Sequence, residues 1–181
     1  MVVLGISGSL RAGSHNTRLL TAAAAELPDH VELRIYPGLG DIPPYREDAE
    51  HPAPEPVRAL REAIGAADAV LIATPEYNGS IPGQLKNALD WASRPYPDNA
   101  LRGKPVVVVG ASAGLFGAVW AQAELRRVLG LIGAEVVDGE LPVGQADQAF
   151  HADGRLADPD LRTRLTELLD QLVTHVTAAA A

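Results

Sequence analysis

Two rhythms of apolar residues alternate along this chain. Short, nearly continuous aliphatic runs stand at residues 2–6, 69–73 and 105–110, and each leads into a loop of small and polar residues. Runs of that length bounded by turn residues predict strands, and runs apolar on both faces suit a buried parallel sheet. Between them lie segments with apolar residues three and four apart. Leu19, Leu20, Ala23, Ala24 and Leu27 mark one face of a helix over 17–27, closed by Pro28 and Asp29. Val57, Leu60 and Ile64 mark a second over 57–67. Leu85, Ala88, Leu89 and Ala92 mark a third, with Pro82 in its first turn, where a missing N–H costs nothing. A fourth covers 119–131. A fifth covers 161–176, with Leu161, Leu165, Leu168, Leu169, Leu172 and Val176 on its apolar side. The alanines that end the chain are expected to fray. Val31, Leu33 and Ile35 alternate, predicting a half-buried or edge strand over 31–36, and 135–137 is a last short strand.

Strands therefore alternate with helices five times, the pattern of a doubly wound parallel α/β sheet. At 181 residues one domain, 1–181, is expected. Residues 37–56 form a long connection with five prolines after Ile42, which excludes a helix or central strand through most of it. A surface linker is expected there, with a lid or interface segment as the alternative. Residues 143–155 read as irregular.

Composition narrows the chemistry. There is no cysteine, so disulfides, thiolate nucleophiles, iron–sulfur clusters and zinc ribbons are excluded. The five histidines show no metal spacing, and no metal site is expected. The net charge of −8 argues against non-specific binding to nucleic acid or anionic membrane. No apolar run approaches a membrane span, and the start of the chain lacks a basic region ahead of its short apolar run. A cytoplasmic protein is the expectation.

The loop Gly8-Ser-Leu-Arg-Ala-Gly-Ser-His-Asn16 is built to meet an anion. Gly and Ser feeding a helix start supply backbone N–H groups, hydroxyls and the positive end of the helix dipole. Ser9, Ser14 and Asn16 add donors, and Arg11 adds a charged fork suited to phosphate. His15 stands among them. Asn16 is a candidate helix cap. A nucleotide-triphosphate P-loop is disfavoured because Ser14-His15 stands where Lys-Ser/Thr is needed, and the dinucleotide fingerprint G-x-G-x-x-G is absent.

The second loop, Pro75-Glu-Tyr-Asn-Gly-Ser80, follows the 69–73 strand. Gly79 permits close backbone approach, Asn78 offers both donor and acceptor, and Tyr77 offers a packing surface. The stretch PEYNGSIPGQLKNALDW resembles the signature of the NADPH-dependent FMN reductase family, the flavodoxin-like quinone, chromate and azo reductases. GSLRAGSHN resembles the same family's phosphate loop. The resemblance covers nearly the whole chain in order and spacing. It implies a flavodoxin-like five-stranded parallel sheet in the order 2-1-3-4-5, with the ligand crevice between strands one and three.

It further implies FMN as cofactor and NADPH or NADH as electron donor. Small acceptors would be quinone, azo compound, chromate or free flavin. On this resemblance Pro75, Glu76, Tyr77, Asn78 and Gly79 line the flavin. Ser9, Arg11, Ser14, His15 and Asn16 hold its phosphate, and Ser112 and Gly114 form a third wall. No protein general acid or base is demanded, because the flavin carries the redox step. A flavodoxin-like electron carrier is the non-enzymatic alternative.

Two further expectations concern the remaining motifs. Gly110-Ala-Ser-Ala-Gly114 matches G-x-S-x-G after a strand, the setting of a nucleophile elbow. Asp138, Asp147, Asp158, His151 and His175 are candidate partners for Ser112. Against that hydrolase reading, the loop runs on through Leu115, Phe116 and Gly117 before the helix. Lys86 and Asp90 are spaced to pair along one helix. A homodimer or tetramer is expected, with Trp91 and the following Arg94 and Tyr96 at the subunit interface, since these residue types are enriched in interface hot spots. Arg94, Arg126 and Arg127 read as surface or interface charges.

Overall fold

The computed structural model describes residues 1–179. Six strands and five α-helices follow in chain order: β1 Val2–Ser7, α1 His15–Ala24, β2 Glu32–Ile35, α2 Glu55–Ala66, β3 Ala69–Thr74, α3 Gly83–Ala92, β4 Pro105–Ala111, α4 Val119–Ile132, β5 Glu135–Val136, β6 Pro142–Val143 and α5 Pro159–Ala179. The strands run parallel in the order β2-β1-β3-β4-β5, and β6 also pairs with β4. This is the expected flavodoxin-like 2-1-3-4-5 sheet, with one difference. The fifth position is shared by two short strands. β5 meets the start of β4, pairing Pro105 with Glu135, while β6 meets its end, pairing Gly110 with Pro142. Between them the chain leaves the ladder at Asp138-Gly139, where Gly139 has φ 127°, a conformation that favours glycine.

Two cores flank the sheet. Because side chains alternate along a strand, Val70, Ile72, Val106 and Val108 face α2, α3 and α4, where they pack with Leu60, Ile64, Leu85, Leu89 and Leu125. Leu71, Ala73, Val107 and Val109 face α1 and α5 and pack with Leu19, Leu20, Leu165 and Leu172. Every residue of β3 and β4 is buried, as their uninterrupted apolar runs predict. β2 is an edge strand with Glu32, Arg34 and Ile35 exposed. Of the terminal alanines expected to fray, Ala178 and Ala179 continue α5, while Ala180 and Ala181 lie outside the described residues.

Helix boundaries differ from the periodicity in instructive ways. α1 begins at His15, with Ser14 as its cap: the Ser14 hydroxyl oxygen accepts the Asn16 N–H at 3.1 Å. Asn16 is therefore not the cap. α1 ends at Ala24, whose side chain is exposed, and Ala22 takes the buried position instead. Pro82 is the cap residue of α3 rather than its first helical residue.

The proline-rich connection is neither a loose linker nor a free lid. It makes two short 3-10 turns, Leu39–Asp41 and Glu47–Ala49, and buries Leu39 and Ile42. The polar face of α3 holds it. Gln84 Nε2 donates to the Leu39 and Ile42 carbonyls at 2.7 and 2.9 Å, Asn87 accepts the Tyr45 N–H at 2.7 Å, and Trp91 Nε1 donates to the Pro43 carbonyl at 2.8 Å. Prolines donate no N–H, so a segment rich in them is anchored through its carbonyls. The placement of Trp91 at a subunit interface is thereby corrected. Trp91 is 1% exposed, packed edge-on against Tyr45 at 4.9 Å inside the monomer.

Candidate functional site

Parallel pairing brings three loops to one end of the sheet. Ser7 pairs with Ala73 and Thr74 with Gly110, so the loops leaving β1, β3 and β4 start side by side. Adjacent strands lie about 4.8 Å apart. Gly8 is the pivot of the first loop. Its N–H donates to the Ala73 carbonyl at 2.8 Å, and a side chain there would press on Leu85 and Pro75.

The first loop wraps the start of α1. Ser9 accepts the Arg11 N–H through its hydroxyl at 3.3 Å, and the Ser14 N–H donates to the Arg11 carbonyl at 3.1 Å. The Arg11 side chain is exposed and meets no acceptor among the described residues. The first-turn amides of His15 and Thr17 likewise meet none. A positive side chain beside free amides at a helix start is a fit for a phosphate group. A cavity of about 350 Å³ opens here, walled by Arg11, Ser14, Thr17 and Arg18. His15 turns elsewhere. Its Nε2 lies 3.1 Å from Asp147 Oδ1, tying the loop to the segment after β6.

Asn16 is buried and commits both ends of its amide to one residue. Its Nδ2 donates to the Ala111 carbonyl and its Oδ1 accepts the Ala111 N–H, both at 3.0 Å. It joins the first loop to the end of β4.

The second loop closes as a tight turn. Tyr77 and Ser80 exchange backbone hydrogen bonds at 2.9 and 3.2 Å, and the two central residues, Asn78 and Gly79, have φ 55° and 76°. Two positive φ values define a type I′ turn, for which Asn-Gly is the favoured pair. Tyr77, Asn78 and Gly79 are exposed at its tip, and a Cβ on Gly79 would meet nothing within 4 Å. An open peptide edge of this kind is a fit for a flat heterocycle with its own donors and acceptors. Pro75 is buried beneath the turn. Glu76 points away from the tip, and its Oε2 accepts the Ala121 N–H of α4 at 3.1 Å.

The third loop carries Ser112 and Gly114. The Ser112 hydroxyl oxygen accepts the Gly114 N–H at 3.1 Å, and the Gly114 carbonyl accepts the Gln145 N–H at 3.0 Å. This loop is not a nucleophile elbow, because seven positions separate Ser112 from the first residue of α4. Four of its five candidate partners are engaged elsewhere. Asp138 pairs with Arg126 at 2.6 Å, and Asp147 faces His15. Asp158 caps α5 through the Asp160 N–H, and His175 pairs with Glu135 near the opposite end of the sheet. Lys86 and Asp90 pair as spaced, at 2.7 Å, and Arg94 pairs with Glu50 at 2.9 Å.

Two supporting residues escape a sequence reading based on motifs. Gln122 is fully buried. It donates to the Gly117 carbonyl at 3.0 Å and accepts the Leu141 N–H at 3.1 Å, setting the third loop against β6. The signal was available, since Gln122 is polar three residues before Leu125 on the inward stripe of α4. Glu124, which accepts the Ser80 hydroxyl at 2.7 Å, gave no such signal. A larger cleft, about 820 Å³, lies between β5 and α5. None of the three loops reaches it, so size does not mark the site.

Comparison with known proteins shows the family. The model of the NADPH-dependent FMN reductase family matches residues 1–148. The chain belongs to that family. It is thus a flavin-dependent oxidoreductase, with FMN as cofactor and NAD(P)H as donor. It is 44% identical over 172 residues to an NAD(P)H-dependent FMN reductase of Pseudomonas aeruginosa, covering 94% of this chain and 92% of that one. It is 43% identical over 138 residues to a quinone reductase of Escherichia coli, covering 75% and 73%. The solved structure of FerB, a flavoenzyme NAD(P)H:acceptor oxidoreductase of Paracoccus denitrificans, superposes with a TM-score of 0.85 at 37% identity, covering 98% and 97%. No helix among the described residues is long and apolar enough to cross a membrane.

Proposed function

We propose that this reductase takes electrons from NADPH or NADH through FMN and passes them to small acceptors: quinone, azo compound, chromate or free flavin. The observation that carries the site is the meeting of three loops at the carboxyl ends of β1, β3 and β4, with the unpaired Arg11 and the open Asn78-Gly79 turn on adjacent loops. When bound, FMN supplies the hydride-accepting and electron-donating centre. The chain's own residues bind and orient. Arg11, the Ser9 and Ser14 hydroxyls and the amides at the start of α1 hold the phosphate. Asn16 and His15 keep that loop in shape from below and beside. Pro75, Tyr77, Asn78 and Gly79 border the ring on one side, and Ser112 and Gly114 on another. Glu76 acts from behind the turn. No side chain is asked to move a proton.

The same reading takes 1–181 as one domain of a cytoplasmic homodimer or tetramer. The support for assembly shifts from Trp91 to a different patch. Leu115, Phe116 and Trp120 are 70, 60 and 53% exposed, and the Phe116 and Trp120 rings lie 5.0 Å apart beside the third loop. Exposed aromatic clusters of this kind mark contact surfaces.

The test is direct. Protein incubated with excess FMN and freed of unbound flavin should keep the flavin absorbance. It should also oxidise NAD(P)H in the presence of a simple benzoquinone. A colourless protein after that treatment would end the reading.

A further inference from the structure

Helix α4 starts without a cap of its own. Gly117 and Ala118 both lie in the left-handed region, at φ 57° and 61°, and Ala118 at the cap position has no side-chain acceptor. The exposed donors of a helix start need partners. Here the partner comes from 45 residues earlier: the Glu76 carboxylate takes the Ala121 N–H. Its negative charge also suits the positive end of the helix dipole. One turn further along α4, Glu124 Oε2 accepts the Ser80 hydroxyl at 2.7 Å and the Ile81 N–H at 3.4 Å.

The two carboxylates therefore tie the same turn from both sides. Glu76 stands just before Tyr77, and Glu124 grips Ser80 and Ile81 just after Gly79. The third loop, residues 112–118, runs directly into the same helix. Both loops that border the ring thus refer to one rigid element. The two Tyr77–Ser80 backbone bonds fix the shape of the turn, and the two carboxylates fix where it stands. Ordering it only when ligand arrives would subtract from affinity.

We propose that Glu76 and Glu124 are positioning residues that fasten the Tyr77–Ser80 turn and the 112–118 loop to α4, so that two walls of the site meet FMN as one preset frame. The inference rests on the FMN-site reading above. It asks neither carboxylate to touch the cofactor. What Glu76 must supply is an acceptor oxygen at the start of α4.

That requirement separates position from charge. Glu76→Gln keeps a carbonyl oxygen for Ala121 and loses the charge. Glu76→Ala loses both. Hydrogen exchange at the Ala121 amide reads the tie in protein without FMN, and flavin fluorescence quenching reads FMN affinity. Loss of a helix cap is expected to speed exchange and weaken FMN binding by about tenfold each in Glu76→Ala. Glu76→Gln should return both to within about threefold of wild type, since an acceptor remains. The visible circular dichroism of bound flavin should change in Glu76→Ala and be restored in Glu76→Gln. Ser80→Ala, a milder change, should weaken FMN binding, and adding Glu124→Ala should weaken it by less than Glu124→Ala does alone, because the two share the Ser80–Glu124 link and only the longer Ile81 N–H contact is lost in addition.

A Glu76→Gln variant as weak as Glu76→Ala would overturn the proposal, because charge rather than position would then matter. So would unchanged Ala121 exchange in Glu76→Ala. Wild-type protein that takes up no FMN sinks the parent reading and this one with it. Wild-type binding with unaltered affinity in both Glu76→Ala and Ser80→Ala sinks this one alone.

Discussion

Asn16 separates a ligand-binding residue from a frame residue more sharply than any other position in the first loop. It is 2% exposed, and its side chain makes two hydrogen bonds, both to the backbone of Ala111, which is itself 1% exposed. Asn16→Ala leaves a buried N–H and a buried C=O without partners. Each such group costs about 1–3 kcal/mol, so the loss should fall at about 2–6 kcal/mol. That is a large share of a typical domain stability of about 5–15 kcal/mol. With a urea slope of about 2 kcal/mol per molar, a loss of about 4 kcal/mol moves the unfolding midpoint down by about 2 M. The assay is urea unfolding of FMN-free protein followed by circular dichroism. Asn16→Asp should also destabilise, because it keeps an acceptor for the Ala111 N–H but sets a carboxylate against the Ala111 carbonyl. A residue that only held phosphate would lower FMN affinity and leave the FMN-free protein unchanged. An Asn16→Ala protein that unfolds at the wild-type midpoint without FMN would therefore refute the reasoning.

Arg11 should behave in the opposite way. Arg11→Ala is expected to keep the urea midpoint and weaken FMN binding by about 10- to 150-fold, the worth of a charge-assisted hydrogen bond of about 1.5–3 kcal/mol; riboflavin, which lacks the phosphate, should barely respond in the same titration. Trp91→Ala empties a core position and removes one of the two donors to the Pro43 carbonyl, leaving only Asn87 Nδ2, so a loss of about 3–5 kcal/mol is expected in urea unfolding, with the association state in sedimentation unchanged. Glu50 gives a pH signature. The Tyr45 hydroxyl, and then Arg94, hold its carboxyl below the ordinary range. Such a group stabilises above its unfolded pKa and loses that contribution as pH falls through the folded one. Glu50→Gln imitates the protonated form, so its melting temperature should lie below wild type at neutral pH. The two should converge once the pH drops well below the ordinary glutamate value of about 4.3.

The strands and helices were legible along the chain because their cause is local. An uninterrupted run such as Val106-Val107-Val108-Val109 has no stable place except between two covered faces, and Leu85, Ala88, Leu89 and Ala92 can share a face only in a helix. The 75–80 loop was legible as a loop, and its Asn78-Gly79 pair, one of the few that accept two positive φ values at low cost, carried a tight turn not drawn from the sequence. The family itself could be recognised from two short motifs. What the sequence left open were roles that depend on a partner far along the chain. Trp91 has the composition of an interface residue, and only its bond to Pro43, 48 residues earlier, places it inside the monomer. Asn16 has the chemistry of a phosphate ligand or a helix cap, and only the arrival of Ala111 at 3.0 Å turns it into a cross-brace. The same holds for Glu76, whose carboxylate fits a turn, a cofactor edge or a partner subunit equally well. Hydrophobic periodicity reports which face of an element is buried. It says nothing about which polar atom will stand opposite, because that is decided when crossover connections bring distant segments to the same end of the sheet.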